Sequence, residues 1–402
     1  MSRDDSELYV CPRKRTNSRS TFLPFSPPAI SEEEIAAVAD TLRSAWITTG
    51  PKTKRFEQEF AAYIGAPAAL ALNSCTAGLH LALLALGIGP GDEVITTPMT
   101  FCSSVHVIEH VGARPVLADI VPDTLTIDPV RVAEGITPRT RAIMPVHYAG
   151  HPADMDPLLE LARQRGLYVI EDAAHALPAS YRGQRIGTIG DLTAFSFYAT
   201  KNLTTAEGGM LTGAPELIER ARILSLHGMS RDAWKRYDAN GSWYYEVIDA
   251  GWKYNMTDIQ AAIGLVQLQR LESMQRRRRE VVAQYNAAFG QLDALQIPTE
   301  RPDAESAWHL YVLRLNLDRL TIDRARFIEE LRVRNIGTSV HFIPIHLHPY
   351  YRDKYGFQPE DFPVAYREYQ RIISLPLYPR MSDQDVQDVI DAVVEIVKRH
   401  RR

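Results

Sequence analysis

AALALNSCTAGLHLALLALG, residues 68–87, holds one full unit of the fold. Five small apolar residues read as a strand and Asn73-Ser74 interrupts it. The apolar run that follows reads as a helix that starts near Thr76 and stops at Gly87. The alternation continues downstream. EVITT (93–97), RPVLADI (114–120), RAIMPVHY (141–148) and LYVIED (167–172) are strand-like. SSVHVIEHVG (103–112), PVRVAEGI (129–136) and MDPLLELARQRG (155–166) are helical and lie between them. Apolar strands joined by helices need crossover connections, so the class is α/β with a mainly parallel sheet. DLTAFSF (191–197) and GGMLTG (208–213) add two more strands.

Upstream, TFLPFSPPAI (21–30) is a proline-stiffened arm. SEEEIAAVADTLRS (31–44) is a helix with Ser31 as cap and Glu34 completing a capping box. Downstream, a long helical pattern over 257–292 precedes a change of composition. HLYVLRLNL and NIGTSVHF read as alternating strands around the helix RARFIEELRVR, and DVQDVIDAVVEIVKRH is a closing helix. The expected division is a disordered tail over 1–20, an arm and helix over 21–50 and a large domain over 51–265. A connecting helix over 266–290 and a smaller C-terminal α+β domain over 291–402 complete it. The run Arg276–Arg279 is expected on the solvated side of the connecting helix. GIGPG (87–91) follows a helix and precedes a strand, the reverse of a dinucleotide fingerprint, so it reads as a helix stop and turn.

The bulk numbers exclude several classes. A net charge of −4 gives no basic field for nucleic acid, and no apolar run approaches a membrane span. The N-terminus lacks the apolar core of a signal peptide. Three cysteines, Cys11, Cys75 and Cys102, form neither a disulfide framework nor a zinc pattern, and a cytoplasmic location is expected.

The chemistry concentrates at strand ends. Asp172 closes LYVIED, at the sheet edge where ligands gather in open α/β folds. Lys201 stands in the polar turn of FSFYATKNLTTAEGG (195–209), with Ser196 five residues earlier. The helix start after Asn73-Ser74 offers free N–H groups, hydroxyls and a positive dipole end to a phosphate. A lysine, a carboxylate, a phosphate cradle and a nearby serine are the set that pyridoxal 5'-phosphate needs. The lysine forms a Schiff base, and the carboxylate keeps the pyridine nitrogen protonated.

With these pieces assembled, the chain resembles the DegT/StrS-type sugar aminotransferases, PLP-dependent enzymes of fold type I (aspartate aminotransferase-like). The resemblance runs from WITTGPKTKRFE through NSCTAGLHLALLALGIGPGDEVITTPMTF, PVHYAGHPADMD, VIEDAAHA, FSFYATKNLTTAEGG, KYNMTDIQAAIG and HFIPIH to SLPLYP. Within the family it looks most like enzymes of the 4-amino-4-deoxy-L-arabinose type, which aminate C4 of a UDP-linked 4-keto sugar. The resemblance implies that Lys201 is the Schiff-base lysine, Asp172 the partner of the pyridine nitrogen and His175 a neighbour of the ring and its 3-hydroxyl. It implies that Phe101 stacks on the ring, that Thr76, Ala77 (through its backbone) and Ser196 hold the phosphate, and that Asn255 reaches the phosphate from the other subunit of a homodimer. His341 matches a histidine near the substrate. Cys75 stands where many relatives have glycine or alanine. L-Glutamate is the implied donor and a UDP- or dTDP-linked keto sugar the implied acceptor, for a surface glycan or lipopolysaccharide. Arg231, Lys235 and Arg236, in SRDAWKRYDANGSW, are candidates for the nucleotide diphosphate. Two other readings stay open at this point: a cofactor-bound regulator without turnover, and a metal hydrolase built on His341, His346 and His348.

Overall fold

The computed structural model, which describes residues 19–230 and 244–402, is organised around a seven-stranded sheet. The first strands in chain order are β1 (Ala68–Leu72), β2 (Glu93–Thr96), β3 (Arg114–Leu117), β4 (Thr140–Ile143) and β5 (Tyr168–Asp172). The short β6 (Ser180–Tyr181) and β7 (Gln184–Arg185) leave the sheet, and β8 (Leu192–Ser196) and β9 (Gly209–Gly213) return to it. The spatial order is β1-β9-β8-β5-β4-β2-β3. Pairings from β8 through β5, β4 and β2 to β3 are parallel, as the alternation predicts. β9 is antiparallel to both neighbours. It can run that way because a loop, not a crossover helix, joins it to β8.

Helices α1 (Glu32–Arg43), α2 (Pro51–Ile64), α3 (Cys75–Ala85), α4 (Ser103–His110), α5 (Pro129–Gly135), α6 (Met155–Arg165) and α7 (Pro215–Ser225) surround this sheet. Ser31 caps α1 and forms the expected box with Glu34. α3 is apolar on every side and buried on nearly every side, packing on the sheet, α4 and α7.

The long helix α8 (Asp258–Phe289) begins at a second capping box, Thr257 with Gln260. Leu265, Leu268 and Leu271 enter the core under the large sheet, where Phe56 and Phe60 of α2 meet Phe195 and Phe197. Gly264 permits that contact, because a Cβ there would lie 2.6 Å from the Phe56 ring. Val281, Val282, Tyr285 and Phe289 enter a second core. Its elements are the sheet β10 (Leu295–Gln296), β12 (Tyr311–Leu315) and β13 (Ile372–Leu375), with α9 (Arg324–Val333) and α12 (Asp383–His400). β11 (Ala304–Glu305) pairs with β6, while α10 (Pro349–Tyr355) sets Tyr351 in a cluster with Val105 of α4 and α11 (Pro363–Tyr369) sets Ala365 in one with Val312 of β12. Among the described residues, no helix is long and apolar enough to cross a membrane.

Two local expectations are corrected. NIGTSVHF is not a strand. Its backbone bonds are divided between the arm, where Gly337 N–H donates to Leu23 O at 2.9 Å, and β13, where only Ser339 and Ser374 pair. The arginine run does not face water as a unit. Arg278 lies four residues from both Met274 and Val282 on the inward stripe of α8, and is 2% exposed. Its guanidinium donates to the carbonyl oxygens of Leu377 at 2.8 Å, Trp308 at 3.4 Å and His309 at 3.5 Å.

Candidate functional site

Because six of the seven strands point the same way, the carboxyl ends of β1, β5 and β8 share one edge with the start of β9. Register makes this concrete: Leu72 and Ser196 both pair with Gly209, and Asp172 pairs with Ala194. The loop between β8 and β9 carries Lys201 at this edge. Its turns close on themselves, with Lys201 N–H donating to Tyr198 O and Thr205 N–H to Phe197 O, both at 2.9 Å. Asn202 ties the loop to Ala307 O at 2.7 Å. Burial pulls the Lys201 ammonium down to about 8, against the opposing pull of Cys75 and Asp172.

Asp172 is 4% exposed. Its Oδ1 accepts from Ala174 N–H at 3.1 Å and its Oδ2 from Ser104 Oγ at 2.6 Å. His175 follows one turn later. It stacks on Phe342 with ring centroids 5.7 Å apart and 17° between planes, and lies 4.4 Å from the His309 ring. Burial, reinforced by neighbouring positive groups, holds both imidazoles far below their usual range. Among the described residues His175 Nδ1, which is buried, has no hydrogen-bond partner, a state a buried polar atom seldom tolerates unless a ligand meets it.

The helix start lies beside them. Ser74, not Thr76, is the cap of α3, and its Oγ accepts from Ala77 N–H at 3.1 Å. The first-turn N–H groups of Cys75 and Thr76 have no partner within the helix. Gly209 brings β9 against this turn, since a Cβ there would lie 2.5 Å from Cys75 N. Ser196 ends β8 half-buried. Phe101 is 60% exposed, its ring 6.2 Å from that of Phe342. Asn255 flanks Leu72 on the outer edge of β1, where its amide donates to Thr49 Oγ1 at 2.6 Å.

His341 belongs to the same region. Its Nδ1 meets Ser374 Oγ at 2.8 Å, its ring stacks on Phe25 of the arm at 5.5 Å, and burial with the Lys201 charge lowers it to about 4. The arm also reaches the lysine loop, where Ser26 Oγ donates to Thr200 O at 3.5 Å. The other two histidines diverge. His346 is buried against Phe362, and His348 is half-buried and bonded to Ile343 O. Among the described residues no three metal-ligating side chains gather. Arg231, Lys235 and Arg236 lie outside the described residues.

Ser104, His309, Phe342 and Phe25 also belong to this constellation, and reading the sequence did not single them out. For Ser104 and Phe342 a signal existed, since each stands close in sequence to a named residue, Phe101 and His341.

The DegT/DnrJ/EryC1/StrS aminotransferase family model matches residues 28–394. An uncharacterized protein of Methanocaldococcus jannaschii is 58% identical over 384 residues, 95% of this chain and 100% of that protein. The spore coat polysaccharide biosynthesis protein SpsC of Bacillus subtilis is 56% identical over 382 residues, 94% of this chain and 98% of SpsC. Among solved structures, a Streptococcus pneumoniae protein assigned as a sugar aminotransferase matches in its PLP-form with a TM-score of 0.88 and 39% identity, over 94% of this chain and 99% of that one. Its PMP-form matches with a TM-score of 0.89 and 40% identity, over the same shares of each chain. The chain therefore belongs to the DegT/DnrJ/EryC1/StrS aminotransferase family, whose cofactor is pyridoxal phosphate.

Proposed function

We propose that this chain transfers an amino group from L-glutamate to the ketone of a sugar nucleotide, at C4 of a UDP- or dTDP-linked 4-keto sugar, for surface polysaccharide synthesis. The observation that carries the reading is the convergence of a lysine drawn down to about 8, a buried aspartate and an open helix start on one sheet edge.

The residues fit pyridoxal phosphate on three counts. His175 Nδ1 is buried with no partner among the described residues, the first turn of α3 has donors to spare, and the Phe101 ring is exposed. When bound, the cofactor supplies an electron-accepting ring and a carbonyl carbon that exchanges one amine for another. Lys201 Nζ would hold that carbon covalently and, once released, carry the proton from the donor's Cα. Asp172 would hold a proton on the ring nitrogen. Thr76, Ala77 and Ser196 would grip the phosphate and Phe101 would cover one ring face. Because Ala77 N–H already serves Ser74, the grip at the helix would fall first to Cys75 N–H, Thr76 N–H and the Thr76 hydroxyl. His341, beside the lysine loop, would meet the substrate.

We also read the working unit as a homodimer in which Asn255 crosses to the partner's phosphate. The exposed apolar side chains of Tyr198, Val247 and Ile248 are of the kind that a partner subunit would cover. Arg231, Lys235 and Arg236 are proposed to meet the nucleotide. A Lys235→Glu/Arg236→Glu double variant with an unchanged KM for the sugar nucleotide would remove that assignment.

The test is spectroscopic and chemical. The purified protein should be yellow and bleach with L-glutamate, and borohydride should fix the cofactor on the peptide carrying Lys201. A panel of UDP- and dTDP-linked keto sugars, with the product's amine position read by NMR, identifies the acceptor. A colourless protein, label on another residue, or amination of no sugar in the panel would refute the proposal.

A further inference from the structure

Asp172 is held by a hydrogen-bond chain that can run in only one direction. Its carboxylate only accepts, so the single hydroxyl hydrogen of Ser104 goes to Oδ2, at 2.6 Å. The competing acceptor, Phe101 O, is farther away at 3.3 Å. Ser104 Oγ also lies 2.7 Å from Thr100 Oγ1. With the Ser104 hydrogen committed, Thr100 must be the donor in that contact. The order is therefore Thr100 O–H to Ser104 O–H to Asp172 carboxylate. Thr100 is 2% exposed and Ser104 is not exposed at all, so water cannot substitute for either.

The placement is specific. Ser104 sits in the first turn of α4, three residues after Phe101, so one short segment presents both an open aromatic ring and the brace for Asp172. Ala174 N–H holds Oδ1 at the same time. Between them the two bonds fix the plane of the carboxylate, which free rotation about its terminal bond would otherwise leave broad.

We propose that Ser104, with Thr100 behind it, is a positioning residue that sets the orientation of Asp172 toward the cofactor's ring nitrogen. This rests on the reading of Asp172 as that nitrogen's partner. The chain polarises along its length, so removing Thr100 should weaken the bond that Ser104 makes.

The experiment measures pyridoxal phosphate affinity of cofactor-stripped protein by fluorescence quenching, and separately the rate of bleaching by glutamate. It uses wild type, Ser104→Ala, Thr100→Val, Asp172→Asn and the Ser104→Ala/Asp172→Asn double variant. Ser104→Ala should weaken cofactor affinity about tenfold and slow bleaching by a similar factor, with the half-saturating glutamate concentration changed less than twofold. Thr100→Val should show about a threefold loss of affinity. In the Asp172→Asn background, removing the Ser104 hydroxyl should add nothing. Wild-type behaviour of Ser104→Ala, or an equal loss in both backgrounds, overturns the proposal. If Ser104→Ala does not fold, Thr100→Val decides, and wild-type affinity there overturns it. Wild-type behaviour of Asp172→Asn overturns the underlying role of Asp172 instead, and so marks the two failures apart.

Discussion

His147 Nε2 lies 2.9 Å from Glu171 Oε2, with neither side chain exposed, one residue behind Asp172 on β5. The ring is fixed at both nitrogens, because Ala153 N–H donates to Nδ1 at 3.0 Å and so leaves the hydrogen on Nε2. Burial works to raise the Glu171 carboxyl. Bonds from His147, Gly190 N–H and Thr193 Oγ1 outweigh it and hold the group below its usual value of 4.5. A carboxylate with a depressed value stabilises the fold fully above the unfolded value and loses that stabilisation as pH falls through the folded one. Glu171→Gln sets an amide N–H against the His147 N–H and should cost about 1–3 kcal/mol at neutral pH. The gap in urea midpoint between wild type and variant should close as pH drops from 7 to below 4.5. A constant gap would show that the charge on Glu171 is not what stabilises the strand.

Gly209 joins three parts of the site. It pairs with both Leu72 and Ser196, and an added Cβ would lie 2.5 Å from Cys75 N and from Ser74 C. Backbone cannot yield as a flexible side-chain tip can. Gly209→Ala should push β9 away from the first turn of α3, costing about 1–3 kcal/mol of stability. It should also speed loss of cofactor on dialysis. A variant that keeps its cofactor and its melting temperature would show that the close approach is dispensable.

The sheet was legible because short apolar strands alternate with helices through the large unit, and the strand-end rule then puts Asp172 and Lys201 on one edge. What escaped the sequence were contacts made across elements. Arg278 reads as one of four solvated arginines, yet the inward stripe of α8 runs through it. NIGTSVHF alternates like a strand, but its partners come from the arm and from β13, so no ladder forms. Ser104 looks like an ordinary helix-start serine until β5 brings Asp172 within 2.6 Å. Asn255 is named by its motif, and the fold places it against Thr49 and the edge of its own sheet.

The amine of Lys201 must be neutral to attack a carbonyl. With its value lowered to about 8, roughly a quarter is neutral at pH 7.5, against roughly 0.1% for an ordinary lysine. Capture of pyridoxal phosphate by stripped protein should therefore rise with pH to a plateau just above 8, while N-acetyl-lysine continues to gain beyond 10. The sign for stability follows. A lysine with a lowered folded value binds fewer protons than in the unfolded chain between about 8 and 10.5, so stripped protein should gain stability through that window. Lys201→Met should lose both pH dependences. A capture profile that tracks N-acetyl-lysine would mean that the amine is not desolvated.

Phe25 of the arm covers His341, with ring centroids 5.5 Å apart and 26° between planes. Burial, with help from the Lys201 charge, lowers His341 to about 4, so the ring is neutral at neutral pH. Removing the lid should let water in and move the titration up toward 6.5. In Phe25→Ala, the His341 ring proton followed by NMR should titrate at least one unit higher than in wild type. Loss of the stack should cost about 0.5–1.5 kcal/mol. Because a histidine held below its unfolded value opposes folding as it is protonated, wild type should lose stability between about 6.5 and 4, and Phe25→Ala should lose less over the same range. Lys201→Met, which removes the nearby charge but leaves the lid, should raise the titration by a smaller amount. A wild-type His341 that titrates near 6.5, or one indifferent to Phe25, would detach the arm from the chemistry of the site.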